Sequence, residues 1–242
     1  MKHQFAALAL ALSATALPVL AEEAPAPADP LSFNVSVTTD YRYRGVSQTR
    51  LKPALQGGAD YALPNGFYIG TWGSTIKWIK DGGGDAQVEL DLYGGYKTEL
   101  AKDLTVDVGL LQYYYPSNKL HPSANTLEAY GALTLGVVTA KASYSTGNLF
   151  GFADSKGSVY LDLSANFDLG NGMTLTPHIG HQSVKKNSAY AYNDYAVTLA
   201  KDFSGLVVSG TLIGTDTDAY VGGPKSRNLG KAGIVLAVKK SF

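Results

Sequence analysis

Charged residues recur at alternate positions of several segments in which apolar and polar residues alternate, and they are the first candidates for a functional site. The densest group is Asp40, Arg42 and Arg44, at the end of the first such segment. Arginine offers a fork of N–H donors that fits a carboxylate or a phosphate. The group therefore predicts either a binding site for an anionic solute or an Asp–Arg network that anchors a loop folded into a mouth.

Other segments carry further charges on their polar positions. The charged residues predicted to line one shared interior are Asp40, Arg42, Arg44, Asp60, Glu89, Asp91, Asp107, Glu128, Lys141, Asp162 and Lys231, with Lys97, Asp168, Asp194 and Lys239 on the same face. Charges from many strands keep an interior wet and tune its ion selectivity. The acids slightly outnumber the bases, which favours a weak preference for cations. The alternative is a plug of ion pairs that holds the fold together without conducting.

Catalysis would need a nucleophile with a base, or paired acids, and no spacing in the chain singles out such a set. His178 and His181 fall on opposite parities, Ser143 and Ser183 have no matching base, and there is no cysteine. The run Gly82–Gly84 lacks the lysine and the following helix of a phosphate-binding loop. We therefore predict no enzymatic activity, no metal and no cofactor, and we assign His178 to the polar face.

The elements that carry these charges are long strands. From Ser32 to Arg44, apolar and polar residues alternate with a period of two over more than ten positions. Ordinary strands have about five or six residues, whereas a tilted strand that crosses a bilayer has about 9 to 11. The predicted strands are Ser32–Arg44, Ala54–Leu63, Phe67–Trp78, Gln87–Lys97, Leu104–Leu110, Leu127–Leu135, Val138–Tyr144, Val159–Asp168, Met173–Val184, Tyr192–Lys201, Leu206–Gly214 and Ala232–Phe242.

The connections between these strands follow a regular order. Loops after odd-numbered strands are long and polar, and turns after even-numbered strands are short, such as Pro64-Asn65-Gly66. Outer-membrane barrels alternate in this way, with short turns in the periplasm. The sequence therefore predicts an all-β fold, a single antiparallel up-and-down transmembrane barrel of about twelve strands, with both termini in the periplasm.

Aromatic residues support a lipid-facing outer surface. Strand direction predicts one girdle near the periplasmic end, made by Phe33, Tyr61, Phe67, Tyr96, Phe167, Phe203 and Phe242, and another near the external end, made by Tyr41, Tyr43, Tyr114 and Tyr144. The middles of the same faces carry Val, Leu, Ile, Ala and Gly. We leave Trp72 unassigned, because both parities of its strand carry aromatic residues.

Composition and the first residues bound the rest of the interpretation. The chain has 242 residues and a formal net charge of zero, so no basic stripe favours a nucleic-acid partner. Residues Met1–Ala21 have a lysine, an apolar run and a small residue at the end, and they predict a secretory signal peptide. Glu22–Pro30 is a Pro/Ala-rich lead-in, and residues 31–242 are assigned to the barrel.

A family resemblance rests on an ordered set of motifs in the first half of the mature chain. The motifs are Asp40–Gln48 (DYRYRGVSQ), Pro53–Tyr61 (PALQGGADY), Gly66–Trp72 (GFYIGTW), Glu89–Tyr96 (ELDLYGGY) and the Y-x-Y-P element Tyr113–Pro116. Together they resemble the TorF-like family of proteobacterial outer-membrane porins. The resemblance implies an outer-membrane barrel, and the second half of the chain matches only in its alternation.

The function predicted from these features is an outer-membrane, porin-like channel for passive diffusion of small polar or ionic solutes. Its predicted partners are outer-membrane lipid, small polar solutes and the barrel assembly machinery, because Phe242 resembles the terminal signal of such barrels. Lys240 departs from the usual apolar pattern of that signal, although a lysine near the interface can snorkel. The alternatives are a barrel enzyme of the lipase or acyltransferase kind and a non-conducting structural barrel.

Overall fold

The barrel wall consists of twelve strands. A computed structural model of the chain describes residues 30–242, so the predicted signal peptide and the lead-in before Pro30 lie outside the described residues. The strands are β1 Leu31–Thr38, β2 Ala54–Ala62, β3 Phe67–Thr75, β4 Val88–Ala101, β5 Leu104–Tyr114, β6 Thr126–Leu135, β7 Val138–Ser145, β8 Val159–Ala165 continued by Phe167–Gly170, β9 Met173–Ser183, β10 Tyr192–Asp202, β11 Leu206–Thr215 and β12 Gly233–Ser241.

Pairing between the first and last strands closes the barrel. β1 lies antiparallel to β12, with Val37 opposite Val238. Every other strand pairs with its neighbours in the sequence, which gives an up-and-down order. Closure matters because it removes the open edges at which a sheet exposes unpaired N–H and C=O groups. The predicted strand number and topology are confirmed.

The two faces of the wall differ as the alternation predicts. Outward side chains are apolar and exposed, such as Ile69 at 60 % and Ile234 at 74 % of their surface, whereas inward Glu89 and Asp194 are exposed by 2 % and 1 %. A water-soluble barrel would have the opposite arrangement, with its apolar side chains packed inside. The predicted parity of the strands is therefore confirmed.

The connections separate the barrel into two ends. Residues 39–53, 76–87, 115–125, 146–158, 184–191 and 216–232 form long connections at one end, and residues 63–66, 102–103, 136–137, 171–172 and 203–205 form short turns at the other. We call these the long-loop end and the short-turn end. Gly66 has a φ of 90° in its turn, a left-handed conformation that glycine adopts without steric cost. The alternation of long and short connections is confirmed.

The first strand is shorter than the sequence pattern predicts. β1 ends at Thr38, and Arg42–Tyr43 then pairs with Val46–Ser47 in a separate two-stranded ribbon. We call residues 40–49 the inner hairpin, because its side chains are buried within the barrel. Tyr41 is 0 % exposed, packs edge-on against Trp72 and donates a hydrogen bond to Glu89, so its prediction as an outer-girdle residue was wrong.

Five other predicted girdle residues are exposed on the outer surface, which confirms the prediction for them. Tyr114 and Tyr144 are exposed on the outer surface at the long-loop end, and Phe33, Phe67 and Phe203 are exposed near the short-turn end. Tyr43, like Tyr41, lies inside instead and contacts Tyr113, which corrects its assignment.

Two smaller differences concern β8 and the helices. The strand breaks at Asn166, and Asp168 beyond the break is exposed and accepts a hydrogen bond from the backbone N–H of Gly170. Asp168 keeps the register of the inward Thr174, but it lies at the exposed short-turn end of β8 and not deep in the interior. The unassigned Trp72 points inward and is 5 % exposed. Within residues 30–242, no helix has the length and apolar character needed to span a membrane.

Candidate functional site

The inner hairpin is held by a network around Asp40. The Asp40 carboxylate accepts hydrogen bonds from Arg42 Nε at 2.5 Å, from the Ser47 hydroxyl at 2.5 Å and from the Thr49 hydroxyl at 2.9 Å. Asp40 is 7 % and Arg42 3 % exposed, so these charge-assisted bonds are shielded from water. The network ties both sides of the hairpin together at its base.

Arg42 also attaches the hairpin to the last long loop. Its Nη1 donates to the backbone carbonyls of Gly45 and Leu229 at 2.9 Å each, and to that of Lys231 at 3.2 Å. With its donors used in this way, Arg42 fits the anchoring alternative of the sequence analysis. The prediction that Lys231 lines the interior was wrong: its side chain is exposed, and it lies before β12 begins at Gly233.

Arg44, at the tip of the hairpin, reaches across the interior. Its guanidinium donates to the Glu128 carboxylate at 2.7 and 3.1 Å and to Gln182 Oε1 at 2.6 Å. It also lies 4.7 Å from the ring centroid of Tyr43 and 4.1 Å from that of Tyr160. Glu128 is on β6 and Gln182 on β9, whereas the hairpin follows β1. One side chain thus links well-separated parts of the wall and narrows the lumen.

The tip geometry depends on a glycine. Arg44 has a φ of 46° and Gly45 a φ of 80°, so the chain turns sharply where the guanidinium leaves the hairpin. A Cβ on Gly45 would lie 2.6 Å from Thr215 Cγ2 and 2.8 Å from Asp194 Cβ. Only glycine fits this approach between the hairpin and the wall.

A group of acids lies on the same side of the interior as Tyr41. Glu89 accepts a hydrogen bond from the Tyr41 hydroxyl at 2.5 Å and is 2 % exposed. Asp91 is 1 % exposed, and neither of its carboxylate oxygens has a hydrogen-bond partner within the described chain. Asp91 lies in register between Trp72 on β3 and Tyr113 on β5. Buried oxygens without partners are costly and leave a strongly attractive position for a cation or a donor.

Tyrosines that lie over glycines hold two of the predicted acids against the wall. Asp60, Gly70 and Tyr93 occupy one row across β2, β3 and β4, and the Tyr93 hydroxyl donates to Asp60 at 2.5 Å. Asp107 accepts a hydrogen bond from Tyr68 at 2.6 Å. Glycine leaves room for the ring to lie flat on the neighbouring strand, so these side chains coat the wall and do not fill the lumen.

A second cluster forms on the opposite side of the lumen. His178 contacts Asp162 through Nδ1 at 2.8 Å and Asp194 through Nε2 at 2.7 Å, and Asp194 also accepts a hydrogen bond from Tyr160 at 3.0 Å. With a carboxylate on each ring nitrogen, His178 acts as a bridge between two strands. Lys141 lies nearby in register with Asp162, and its Nζ is 4.5 Å from the Tyr130 ring centroid.

The structure therefore brings most of the predicted residues to one interior but distributes them among distinct contacts. Asp40 and Arg42 anchor the hairpin, Arg44 and Glu128 form the crossing pair, and the other interior acids and Lys141 line the wall. Sequence reasoning missed Gln182 and the inward positions of Tyr41 and Tyr43. The signal for these two tyrosines was the length of the first alternating segment, which exceeds what a bilayer-spanning strand requires.

The fold and this interior define the class of protein: a closed, twelve-stranded barrel of the porin fold. It is similar to the structure of KdgM porin (TM-score 0.56, 8 % identity, covering 87 % of this chain and 99 % of that one). It is likewise similar to NanC porin (TM-score 0.57, 12 % identity, 88 % of this chain and 98 % of that one). A further similar structure is KdgM porin in complex with disordered oligogalacturonate (TM-score 0.55, 7 % identity, 88 % and 98 %).

The family follows from the sequence itself. Residues 21–242 match the family described as "Bacterial protein of unknown function (Gcw_chp)", and the chain belongs to that family. No curated protein matches the sequence. At the identities given above, the structural likenesses establish the fold, and they leave the resemblance to TorF-like porins as a prediction.

Proposed function

We propose that the protein is an outer-membrane, porin-like channel through which small polar or ionic solutes diffuse passively, with its narrowest point at the inner hairpin. The observation that carries the proposal is the sorting of side chains: apolar ones on the outside and charged ones inside a closed wall. An exposed apolar belt of this extent requires a lipid environment, since soluble proteins do not expose such surfaces. The porin fold of the similar structures and the resemblance to TorF-like porins support the same function.

Placement in the outer membrane is part of the proposal. Closed barrels whose outer surface is apolar belong to that membrane type, and the partners would be its lipids and the machinery that assembles such barrels. The final residue, Phe242, is exposed, and its backbone pairs with Phe33. An aromatic residue directly after β12 supports recognition by that machinery.

The test is to insert the protein into a planar lipid bilayer and to record current steps and the reversal potential under a salt gradient. Lys141→Gln removes a charge from the lumen, whereas Lys156→Gln removes the same charge from an exposed loop position. If current passes through the lumen, Lys141→Gln shifts the reversal potential towards the equilibrium potential of the cation. Lys156→Gln changes the reversal potential little. A folded, inserted barrel that shows no steps would contradict the proposal.

A second candidate function is a non-conducting, structural barrel. The observation in its favour is the bulk that the inner hairpin places in the lumen, with Tyr41 and Arg42 almost fully buried. In that case the bilayer would remain silent for the parent protein and for both lysine variants. Asp40→Ala, which releases the inner hairpin, separates gating from this outcome, because a gated barrel would then conduct and a structural barrel would stay silent.

A further inference from the structure

A cavity of about 350 Å³ lies at the long-loop end, above the inner hairpin, and its volume is within the range of small-molecule sites. Its lining includes one charged residue, Asp81, and no lysine or arginine. Eight aromatic residues dominate the lining: Tyr43, Trp78, Tyr115, Phe150, Phe152, Tyr190, Tyr192 and Tyr220. Residues from all six long connections or their flanking strand ends contribute to it.

One side of the cavity is a set of rings that pack edge to face. Phe150 lies 5.4 Å from Tyr43 and 6.5 Å from Trp78, at interplanar angles of 81° and 88°. Trp78 in turn meets Tyr115 at 5.3 Å and 86°. We call these four residues the first wall. Edge-to-face packing fixes the ring orientations, so the wall does not have to form when a ligand arrives.

The other side has the same character. Tyr190 packs against Phe152 at 4.7 Å and against Tyr220 at 5.8 Å, and Tyr220 packs against Tyr192 at 5.2 Å. The Tyr220 hydroxyl donates to the backbone carbonyl of Tyr190 at 2.8 Å, which joins two long loops. These four residues form the second wall. The cavity is thus a space between two arrays of rings.

Aromatic faces carry partial negative charge and attract cations, most strongly where water is excluded. The protein already uses this property next to the cavity, where the Arg44 guanidinium lies over Tyr43 and Tyr160. The two arginines beside the cavity are both paired with acids, Arg44 with Glu128 and Arg50 with Asp81. Six carboxylates of the described chain are buried, namely Asp40, Glu89, Asp91, Asp107, Glu128 and Asp194. Arg42, Arg44 and His178 pair with three of them, Asp40, Glu128 and Asp194.

We propose that this cavity binds small organic cations that carry a quaternary ammonium group. Such a group is weakly hydrated and presents methyl groups to the rings, so it gains from both walls without a large desolvation cost. Inorganic cations prefer several carboxylate or carbonyl oxygens, whereas Asp81 is the one carboxylate of the lining and is already paired with Arg50. An anion would find no lysine or arginine in the lining, and the Arg44 guanidinium beside it is already bonded to Glu128 and Gln182. The inference concerns binding at the mouth and stands whether or not the barrel conducts.

Intrinsic fluorescence tests the proposal, because the chain has two tryptophans and one of them, Trp78, lines the cavity. Trp72→Phe leaves Trp78 as the single reporter, in protein held in a polyoxyethylene detergent that contains no choline. Choline is titrated against 3,3-dimethyl-1-butanol, an uncharged molecule of the same shape, and against glucose. We expect saturable quenching by choline and at least tenfold weaker binding of the alcohol and the sugar. Equal binding of the uncharged alcohol, or tighter binding of glucose, would overturn the proposal.

Variants of the second wall locate the site. Tyr190→Leu removes a half-exposed ring from the cavity, Tyr190→Phe keeps it, and Tyr114→Leu makes the same loss on the outer surface. Tyr190→Leu should weaken choline binding roughly fivefold, the size expected of one cation–π contact, and the other two variants should bind as the parent does. Unchanged binding in Tyr190→Leu, or the same loss in Tyr114→Leu, would contradict a site in this cavity. Absence of current in a bilayer would leave these binding results unaffected.

Discussion

The two halves of the barrel interior are built differently. Towards the long-loop end, the lumen contains the inner hairpin, the Arg44–Glu128 pair and the large rings of Tyr41 and Tyr113, all of them almost fully buried. Towards the short-turn end, the inward side chains come from the wall strands, and Asp60, Tyr68, Lys97 and Lys239 among them remain partly accessible to water. Thr134 and Thr139 share a hydrogen bond there at 2.9 Å.

The difference shows which part of the molecule limits passage. The short-turn half is a wall of paired strands whose polar and charged inward side chains keep the interior wet. The long-loop half adds side chains from connections that are not constrained by strand pairing. In the proposed channel, selectivity would therefore be concentrated in one segment of about ten residues, the inner hairpin, and the wall below would serve as the passage.

Releasing the inner hairpin should have the largest effect. Asp40→Ala removes the acceptor of three hydrogen bonds and leaves Arg42 buried without its carboxylate, which costs about 3–5 kcal/mol where a buried pair loses one partner. The hairpin should leave the lumen, so single-channel conductance should rise several-fold and trypsin should cleave after Arg42 and Arg44. Single-channel recording in the bilayer measures the conductance, and limited proteolysis measures the cleavage.

The matched control for this change is Asp216→Ala in the last long loop. Asp216 is exposed, and hydrogen bonds from Asn193 hold its pKa below its usual range, so it is also an ionised, hydrogen-bonded carboxylate. Its loss should leave conductance and the protection of the hairpin unchanged. If Asp40→Ala conducts like the parent although trypsin cuts the hairpin, the hairpin is not the constriction.

The crossing pair should contribute more stability than an ion pair at the mouth. Arg44→Ala leaves Glu128 buried and unpaired and should lower the free energy of unfolding by about 3 kcal/mol. Arg50→Ala breaks the pair with Asp81, whose side chains are 25 % and 23 % exposed, and should cost about 1 kcal/mol or less. Urea unfolding in detergent micelles, followed by tryptophan fluorescence, measures both. Equal losses would show that burial does not distinguish the two pairs.

The wall was predictable from the sequence because it depends on local geometry. Side chains of a strand alternate between faces, so Asp60, Asp107 and Glu128 are assigned to the interior from parity alone. Turn residues such as Asn65-Gly66 mark the ends of strands by their backbone preferences. Strand number, face and connection order follow from these two rules without any long-range information.

The contacts inside the lumen were not predictable in the same way. Whether Arg44 meets Glu128 depends on the stagger between strands and on the inward fold of a loop, and the alternation encodes neither. His178 bridges Asp162 and Asp194 because both acids lie opposite Gly180, two residues from His178 on β9. Phe150 and Tyr220 lie in loops, where no periodicity applies, so the aromatic cavity has no signature in the sequence.

The packing of rings on glycines can be tested in the wall itself. A Cβ on Gly70 would overlap the ring of Tyr93, so Gly70→Ala should displace that ring from Asp60 and cost about 1–3 kcal/mol. Gly210→Ala is the control, since its Cβ would meet Leu236 at 3.5 Å, an ordinary contact distance. Urea unfolding compares the two variants, and a similar small change in both would argue against a steric role for the glycine.

The smallest effect is expected from the threonine pair of the short-turn half. Thr134→Val removes its hydrogen bond with Thr139, but the remaining hydroxyl stays accessible to water and keeps a partner. Cross-strand pairs of this kind contribute about 0.2–1 kcal/mol, and valine retains the shape and the strand preference of threonine. The free energy of unfolding should therefore change by less than about 1 kcal/mol, and the conductance should equal that of the parent. A conductance change as large as that of Asp40→Ala would place a constriction in this half and would remove the distinction between the two halves of the lumen.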